Sequence, residues 1–258
     1  MRADGLPLVS VVTPCLNQAR YLGETIASVQ GEAYPDLEHV VVDGGSTDGS
    51  WELLQRLGDR VRALSAPGSN QSCALNLGFR AARGEVLGWL NGDDLYEPGA
   101  VAAVAQVFRE DPEAVMVYGD CANIDGAGAV FSTSRSRPFD YDRLLRHWPN
   151  FIPQPTVFFR RRALGQVGWL DESLEYAMDY DLWLRLGRAG RAVYLPRVLA
   201  RFRVHPGSKT GGCPERFWPE IRRVSRRHGG GFWSPLFVKH LRDDFYLWRR
   251  GLRRRWIG

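Results

Sequence analysis

The first 120 residues alternate short β-branched runs with stretches of helical spacing, and this alternation restricts the fold more than any other feature of the chain. The runs at 8–14, 37–44, 61–66, 85–90 and 114–120 are apolar almost throughout. Such runs mark strands covered on both faces. Helices are expected between them. One spans 19–30, where Leu22, Ile26 and Val29 share a face. A second spans 46–58, opened by Ser, Thr and Asp and closed by Gly58. Two more fall at 70–84 and at 98–111, the last with Pro98 in its first turn. A chain of this kind is α/β: a mostly parallel sheet flanked by helices.

After Asp120 the pattern loosens. A hairpin is expected over 123–134, turning at Asp125-Gly126. A short helix (139–148), a strand (155–161) and a helix (177–190) follow, then one or two strands over 191–205, interrupted by Pro196. With 258 residues, 44% apolar and 24% charged, the chain suits one α/β domain plus a small appendage. The sequence has no run of 18 apolar residues and its start lacks a signal-peptide layout. Four scattered cysteines (Cys15, Cys73, Cys121, Cys213) suggest buried thiols in a reducing compartment. These features point to a cytoplasmic protein. The net charge of +5 sits at one end: 217–258 holds 11 Lys/Arg against 3 Asp/Glu.

In open parallel sheets, ligands bind beyond the carboxyl ends of the strands. Here the first run ends in "TPCLN", offering Thr13 and Asn17. The second ends in "DGGSTDGS", offering Asp43 and a glycine-rich turn, and the fourth in "NGDD", offering Asp93 and Asp94. Parallel strands would bring all three to one rim. Adjacent carboxylates repel unless a cation lies beside them, and oxygen ligands suit Mg²⁺ or Mn²⁺. A divalent ion favours a phosphate-bearing ligand, so the rim suggests a nucleoside-diphosphate site. The chain has neither the G-x-G-x-x-G order nor a G-x-x-x-x-G-K-[ST] loop. Redox and P-loop chemistry therefore lose support. Asp179 and Asp181 fall at the start of an expected helix, where carboxylates are often caps. His205 lies in a loop beside Ser208 and Lys209, from which it could close over a diphosphate.

The stretches "SVVTPCLNQARYLGETIASV", "VVDGGSTDGS", "GEVLGWLNGDDLYEPGA", "VYGD", "QPTVFFRR", "LDESLEYAMDYDLWLRL" and "RVHPGSKT" resemble, in order and spacing, the family 2 glycosyltransferases of the GT-A fold. The resemblance covers roughly 7–210. It implies a Rossmann-like GT-A domain over 1–212, with a donor half at 7–120 and an acceptor half at 121–212; the arginine-rich stretch beyond it, which the resemblance does not cover, reads as a basic helical tail at 213–258. It also implies inverting transfer of a sugar from a nucleoside-diphosphate sugar to a hydroxyl of a saccharide or lipid-linked acceptor, with Mn²⁺ or Mg²⁺, in cell-surface polysaccharide or glycolipid synthesis. Carried over by position, Thr13, Pro14, Asn17, Asp43, Gly45, Gln71, Asn76, Asn91 and Asp93 bind the donor. Asp93 and His205 hold the metal. Asp179 is the general base, and Gln154 and Asp181 lie on the acceptor side.

The chain also departs from the family pattern. Asn91 stands for the first Asp of the D-x-D signature, Cys73 for an Asp, Leu77 for a Lys and Met178 for a Glu. The Gln-x-x-Arg-Trp motif of processive synthases is missing. The arginine-rich tail is read either as attachment to an anionic membrane surface or as a helix packed on the domain or in a homodimer. The tail has no nucleic-acid motif. Two rival readings are a metal-dependent nucleotidyltransferase and a non-catalytic sugar-nucleotide-binding protein. The first needs a basic loop early in the chain, where "TPCLNQARYL" offers only Arg20. The retained Asp93 and Asp179 count against the second.

Overall fold

The computed structural model describes residues 5–147, 151–209 and 217–231. At its centre β1 (Val9–Cys15) pairs in parallel with β2 (Leu37–Asp43) on one side and β4 (Val86–Trp89) on the other. The short β3 (Arg62–Ser65) lies outside β2, also in parallel. The connecting helices are α1 (Ala19–Gln30), α2 (Ser50–Leu57) and α3 (Gln71–Ala81). After β4 come β5 (Leu95–Tyr96), α4 (Ala100–Glu110), β6 (Ala114–Ile124), β7 (Val130–Ser134) and α5 (Tyr141–Arg146). The chain continues through β8 (Phe158–Arg160), α6 (Arg161–Val167), α7 (Met178–Ala189) and β9 (Arg191–Arg203) to α8 (Phe217–Arg227).

The strand order is β3-β2-β1-β4-β8-β6-β9-β5, with β7 pairing β6. β1–β4, β6 and β9 run in one direction, while β5, β7 and β8 run against them. The mostly parallel α/β sheet expected from the sequence is therefore present, but β6 does not neighbour β4. β8 inserts between them, antiparallel to both. Its two phenylalanines hold it there. Phe158 stacks on Tyr96 at 5.2 Å on one face, and Phe159 meets Phe79 edge-on at 5.5 Å on the other.

The apolar runs are buried on both faces, which is why they show no polar alternation. Val9 and Val11 of β1 pack with α4, while Val12 packs with α3, α6 and α7. α1 buries Leu22, Ile26 and Val29, the face expected from its spacing. β9 is one strand, not two. It passes Pro196 by a bulge, since Leu195 pairs Gly119 and Val198 pairs Asp120, leaving Pro196 and Arg197 outside the ladder. Cys15 and Cys121 are buried free thiols, whereas Cys73 is half-buried; Cys213 lies outside the described residues. Among the described residues no helix is long and apolar enough to cross a membrane. The tail expected at 213–258 is described only over 217–231, where α8 packs Ile221 and Val224 into the same core as α7.

α3 lies close to the sheet because Gly78 has no side chain. A Cβ there would run into Val12 Cγ1 and stand 3.0 Å from Val42 Cγ2. Gly78→Ala should lower the urea midpoint. Overpacking costs about 1–3 kcal/mol, and Ala's better helix propensity returns only about 1 kcal/mol. A midpoint at or above wild type would mean that α3 can back away from the sheet.

Candidate active site at the carboxyl ends of the strands

From β1 the chain steps outward to β2 on one side, and β4 lies on the other. Such a reversal opens a crevice beyond the strand ends. The loop after β1 and the loop after β2 form one wall of it and are knitted together. Asn17 N–H donates to Ser46 Oγ at 2.9 Å, and Asn17 Oδ1 accepts from Thr47 N–H at 2.9 Å. Gln18 N–H donates to Ser50 Oγ at 3.0 Å, and Ala19 N–H to Asp48 Oδ2 at 2.8 Å. The S-T-D-G-S run thus supplies the acceptors that α1's first turn lacks. Asn17 holds this wall at φ +54°.

Asp43 ends β2 and is buried. Its Oδ1 accepts the N–H groups of Gly45 and Ser46, both at 2.9 Å. Gly45 adopts φ +98°, a conformation that favours glycine. The Oδ2 atom of Asp43 is buried with no hydrogen-bond partner among the described residues. Thr13 is placed differently from the donor-lining role the resemblance implies. Its hydroxyl is buried inside the sheet at 2.9 Å from His39 Nε2, beside an imidazole that burial pushes down to about 3. Pro14 is buried in β1.

The acidic tip after β4 has one polar hub. The Oδ1 atom of Asn91 accepts from Trp89 Nε1–H and Gln71 Nε2–H, both at 2.9 Å. Its Nδ2 donates to Asp94 Oδ2 at 3.1 Å and to Gln154 Oε1 at 2.9 Å. Gln154 in turn donates to the Trp89 carbonyl at 2.7 Å. Only an amide can accept twice and donate twice here. Asn91, Gln71 and Gln154 are therefore brought together, each braced by the others.

The two carboxylates at the tip point into different surroundings. Asp94 is fully buried, accepts the Arg203 backbone N–H at 2.9 Å, and has its acid form favoured by burial and by the charge of Asp93. Asp93 meets His205 at the rim, its Oδ2 3.0 Å from Nε2. The N–H of Gly207 approaches His205 Nδ1 at 3.2 Å, which orients the ring toward Asp93. β5 creates this meeting. Leu95 pairs Arg201 and Tyr96 pairs Ala200 in antiparallel register, which brings the tip alongside the end of β9. Arg203 then donates from Nε to the Asp93 carbonyl at 2.8 Å.

A carboxylate and an imidazole nitrogen brought together beyond the ends of β4 and β9 fit a divalent cation. Among the described residues no third His, Cys, Asp or Glu joins them. A Mn²⁺ or Mg²⁺ ion held here would draw its other ligands from a diphosphate and water, as such ions commonly do.

Asp179 lies in the first turn of α7, where its Oδ1 accepts Tyr180 N–H at 2.7 Å. Burial raises its carboxyl to about 6, against the pull of backbone N–H groups and the charge of Lys209. The segment before α7 runs along α3. Asn70 Nδ2 donates to the Glu172 carbonyl, Ser72 Oγ to the Leu174 carbonyl, and Asn76 Nδ2 to the Leu170 carbonyl and Glu172 Oε1. Because Gln71 of the same helix reaches Asn91, the start of α7 is tied to the β4 tip. Asn76 is buried in this clamp rather than open to the crevice. Asp181, expected on the acceptor side, is turned away from Asp179, since residues two apart on a helix face opposite ways. It is buried against Arg185 Nε at 2.8 Å and His228 Nε2 at 3.1 Å. It lines a cavity of about 400 Å³ with Trp169, Asp171 and Arg227, whose charges pair with one another.

Several contributors escape sequence reasoning. β5 has only two residues and no periodicity. Arg203 is one of many arginines, yet it is buried and donates to Glu24 Oε2 at 2.7 Å. Its only signal is its place two residues before His205, at the end of β9.

Residues 10–168 match the family described as Glycosyl transferase family 2. An uncharacterized glycosyltransferase of Rickettsia typhi is 29% identical over 212 residues, covering 79% of this chain and 66% of the relative. Chondroitin synthase of Pasteurella multocida is 29% identical over 197 residues, covering 75% of this chain and 20% of the synthase. The chain thus spans just under two thirds of the first relative and a fifth of the second. The structure of the mannosyltransferase PcManGT from Pyrobaculum calidifontis, in complex with GDP-Man and Mn²⁺, has a TM-score of 0.66 at 22% identity. The likeness covers 94% of this chain and 70% of that one. It establishes the GT-A fold.

Asn91→Asp, which restores the family's D-x-D signature, should destabilise this protein. The change removes both amide donors and sets a carboxylate beside Asp94. Leaving such buried groups unpaired costs about 1–3 kcal/mol. The loss should shrink at low pH, where the new carboxyl is protonated in the folded state and can donate again, and grow as pH rises. Urea unfolding at pH 5 and pH 8 checks this. Equal stability of variant and wild type at pH 8 would contradict the hub.

Proposed function

We propose that this chain, which belongs to the family 2 glycosyltransferases, moves a sugar from a nucleoside-diphosphate sugar to an acceptor hydroxyl in one inverting displacement. The observation that carries this reading is the 3.0 Å pair of Asp93 and His205, brought together beyond the ends of β4 and β9. A carboxylate–imidazole pair at this place suits a diphosphate bound with a divalent ion. The Mn²⁺ in the PcManGT complex is consistent with it.

The remaining roles follow from which polar atoms are free. Asp43 Oδ2 is available to accept a hydrogen bond from the base or ribose, with Gly45 and Asn17 shaping the adjoining wall. Asn91, Gln71 and Gln154 set the shape of the floor rather than supplying charge. Thr13, Pro14 and Asn76 support the donor site from beneath. A Mn²⁺ or Mg²⁺ ion held by Asp93 and His205 would supply the positive charge that stabilises a departing nucleoside diphosphate. Asp179 takes the proton of the acceptor hydroxyl as its oxygen bonds to the anomeric carbon. The bond from that carbon to the diphosphate oxygen breaks on the opposite face, so the centre inverts. A carboxylate that titrates near 6 is mostly ionised at pH 7 yet more basic than a solvated one, which suits a general base.

The acceptor would be a saccharide or lipid-linked sugar of the cell surface, in keeping with the chondroitin synthase relative. The arginines after residue 231 would hold the enzyme at an anionic membrane surface from the cytoplasmic side.

Asp179→Asn should lower transfer about 10²–10⁴-fold, the usual contribution of a positioned base, while leaving donor binding intact. In the wild type, kcat should fall tenfold per pH unit below about 6, because only the ionised carboxylate accepts a proton. Near-normal turnover in Asp179→Asn would sink the assignment. Separately, thermal shifts with UDP, dTDP, GDP, CDP and ADP should show stabilisation that needs Mn²⁺. At 100 times its dissociation constant a ligand adds about 2.7 kcal/mol. Asp93→Asn should abolish that shift. An unchanged shift would remove Asp93 from the metal site.

A further inference from the structure

α7 begins without a cap of its own. Ala177 is its N-cap and offers no side-chain acceptor, so the N–H groups around the helix start need an outside partner. The partner comes from α8. Glu220 accepts the Glu175 N–H at 3.0 Å (Oε1) and 3.1 Å (Oε2). Its Oε2 also accepts Tyr176 N–H at 2.7 Å and Ala177 N–H at 3.0 Å. One half-buried carboxylate thus binds three successive amides, two residues before Asp179. We propose that Glu220 is a positioning residue for Asp179, capping α7 from α8 and so fixing where the carboxylate at the helix start stands. This inference rests on Asp179 being the base.

The neighbouring contacts fix the same segment. Lys209 Nζ donates to the Glu175 carbonyl at 3.1 Å, and Phe217 packs on the Tyr176 ring at 4.8 Å. Arg223 donates to the Ser173 carbonyl at 3.1 Å, and Arg227 pairs with Asp171 at 2.6 Å. Asp181 is held by His228 at 3.1 Å on the far face of α7. α8 therefore grips the 171–181 segment along its length.

The chemical consequence concerns competition for acceptors. Asp179 lies near the helix start, where a carboxylate tends to bind free N–H groups. With Glu220 in place the amides of 175–177 are already taken. Asp179 then keeps its second oxygen for the acceptor hydroxyl. Without Glu220 those amides would draw Asp179 toward its own helix end, and a shift of about 1 Å in a reacting group costs on the order of 10²-fold in rate.

The test uses the full chain with Glu220→Ala and Glu220→Gln. Hydrolysis of GDP-Man and UDP-GlcNAc reports kcat and donor KM, and hydrogen exchange by mass spectrometry reports the amides of 170–181. Glu220→Ala should speed exchange at 175–177 and cut kcat roughly 10–100-fold, with donor KM changed by less than about twofold. Glu220→Gln, whose amide oxygen still accepts, should recover part of both. Faster exchange with unchanged kcat would overturn the proposal, as would unchanged exchange. Undiminished hydrolysis by Asp179→Asn would overturn it too, and would be told apart because Glu220→Ala would still free the three amides.

Discussion

Arg203 is a cation set almost out of reach of solvent at the end of β9, its side chain 1% exposed, and the rim of the sheet is arranged around it. A buried charge costs several kcal/mol unless its donors are met. Here Nε binds the Asp93 carbonyl, one terminal nitrogen pairs with Glu24, and the plane lies over the Tyr21 ring at 4.7 Å. Its backbone N–H goes to Asp94. One residue therefore connects α1, the β4 tip and β9. The Tyr21 ring also touches His205 at 4.8 Å, so the imidazole is placed by the same cluster.

The acidic tip owes its form to this neighbourhood. Of two adjacent carboxylates, one is turned inward, where burial and its neighbour's charge favour the acid form, while the other faces an imidazole at the rim. Inward, Asp94 serves the fold: it joins Asn91 to the end of β9. Outward, Asp93 keeps its carboxylate for His205 because its backbone carbonyl, not its side chain, takes up the Arg203 guanidinium. The Asn at 91 fits this division. A carboxylate at that position would crowd a third acidic group into the cluster and lose the donors to Asp94 and Gln154, whereas the amide joins Trp89, Gln71, Asp94 and Gln154.

Much of the fold was legible because its causes are local. Strands buried on both faces must be apolar throughout, and α1 shows its inner face through Leu22, Ile26 and Val29. The rim was legible for a related reason: parallel strands put their ends together, so polar residues at several ends imply one site. What could not be read lies in long-range pairing. β8 enters between β4 and β6 although it follows both in the chain, and two-residue β5 has no pattern to detect. The hydroxyl of Thr13 turns inward because His39 lies on the same face of the next strand, a matter of register. Asp179 and Asp181 look equivalent in sequence, yet helix geometry sends them to opposite faces. Glu220 gives no sign in the sequence of the amides it meets more than 40 residues upstream.

The two halves of the candidate site are held by different kinds of force, and this has consequences for how they can vary. The rim is fixed by sheet register: a one-residue slip of β1, β2 or β4 would exchange two differently packed buried faces and move every strand end. Asp43 is therefore set by the backbone ladder itself, and Asp93 and His205 by the ends of β4 and β9 and the β5–β9 pairing beside them. Asp179 has no ladder to fix it. It stands on a helix whose start is held by side chains from α3, Lys209 and α8, each of which can be replaced without breaking the sheet. On the proposed reading, a fold built this way would hold the nucleotide site constant while the placement of Asp179, and with it the space left for an acceptor, responds to the segments that follow the sheet. Substitutions in α8 should then change acceptor use before they change donor binding, because α8 packs against α7, the helix that carries the proposed base.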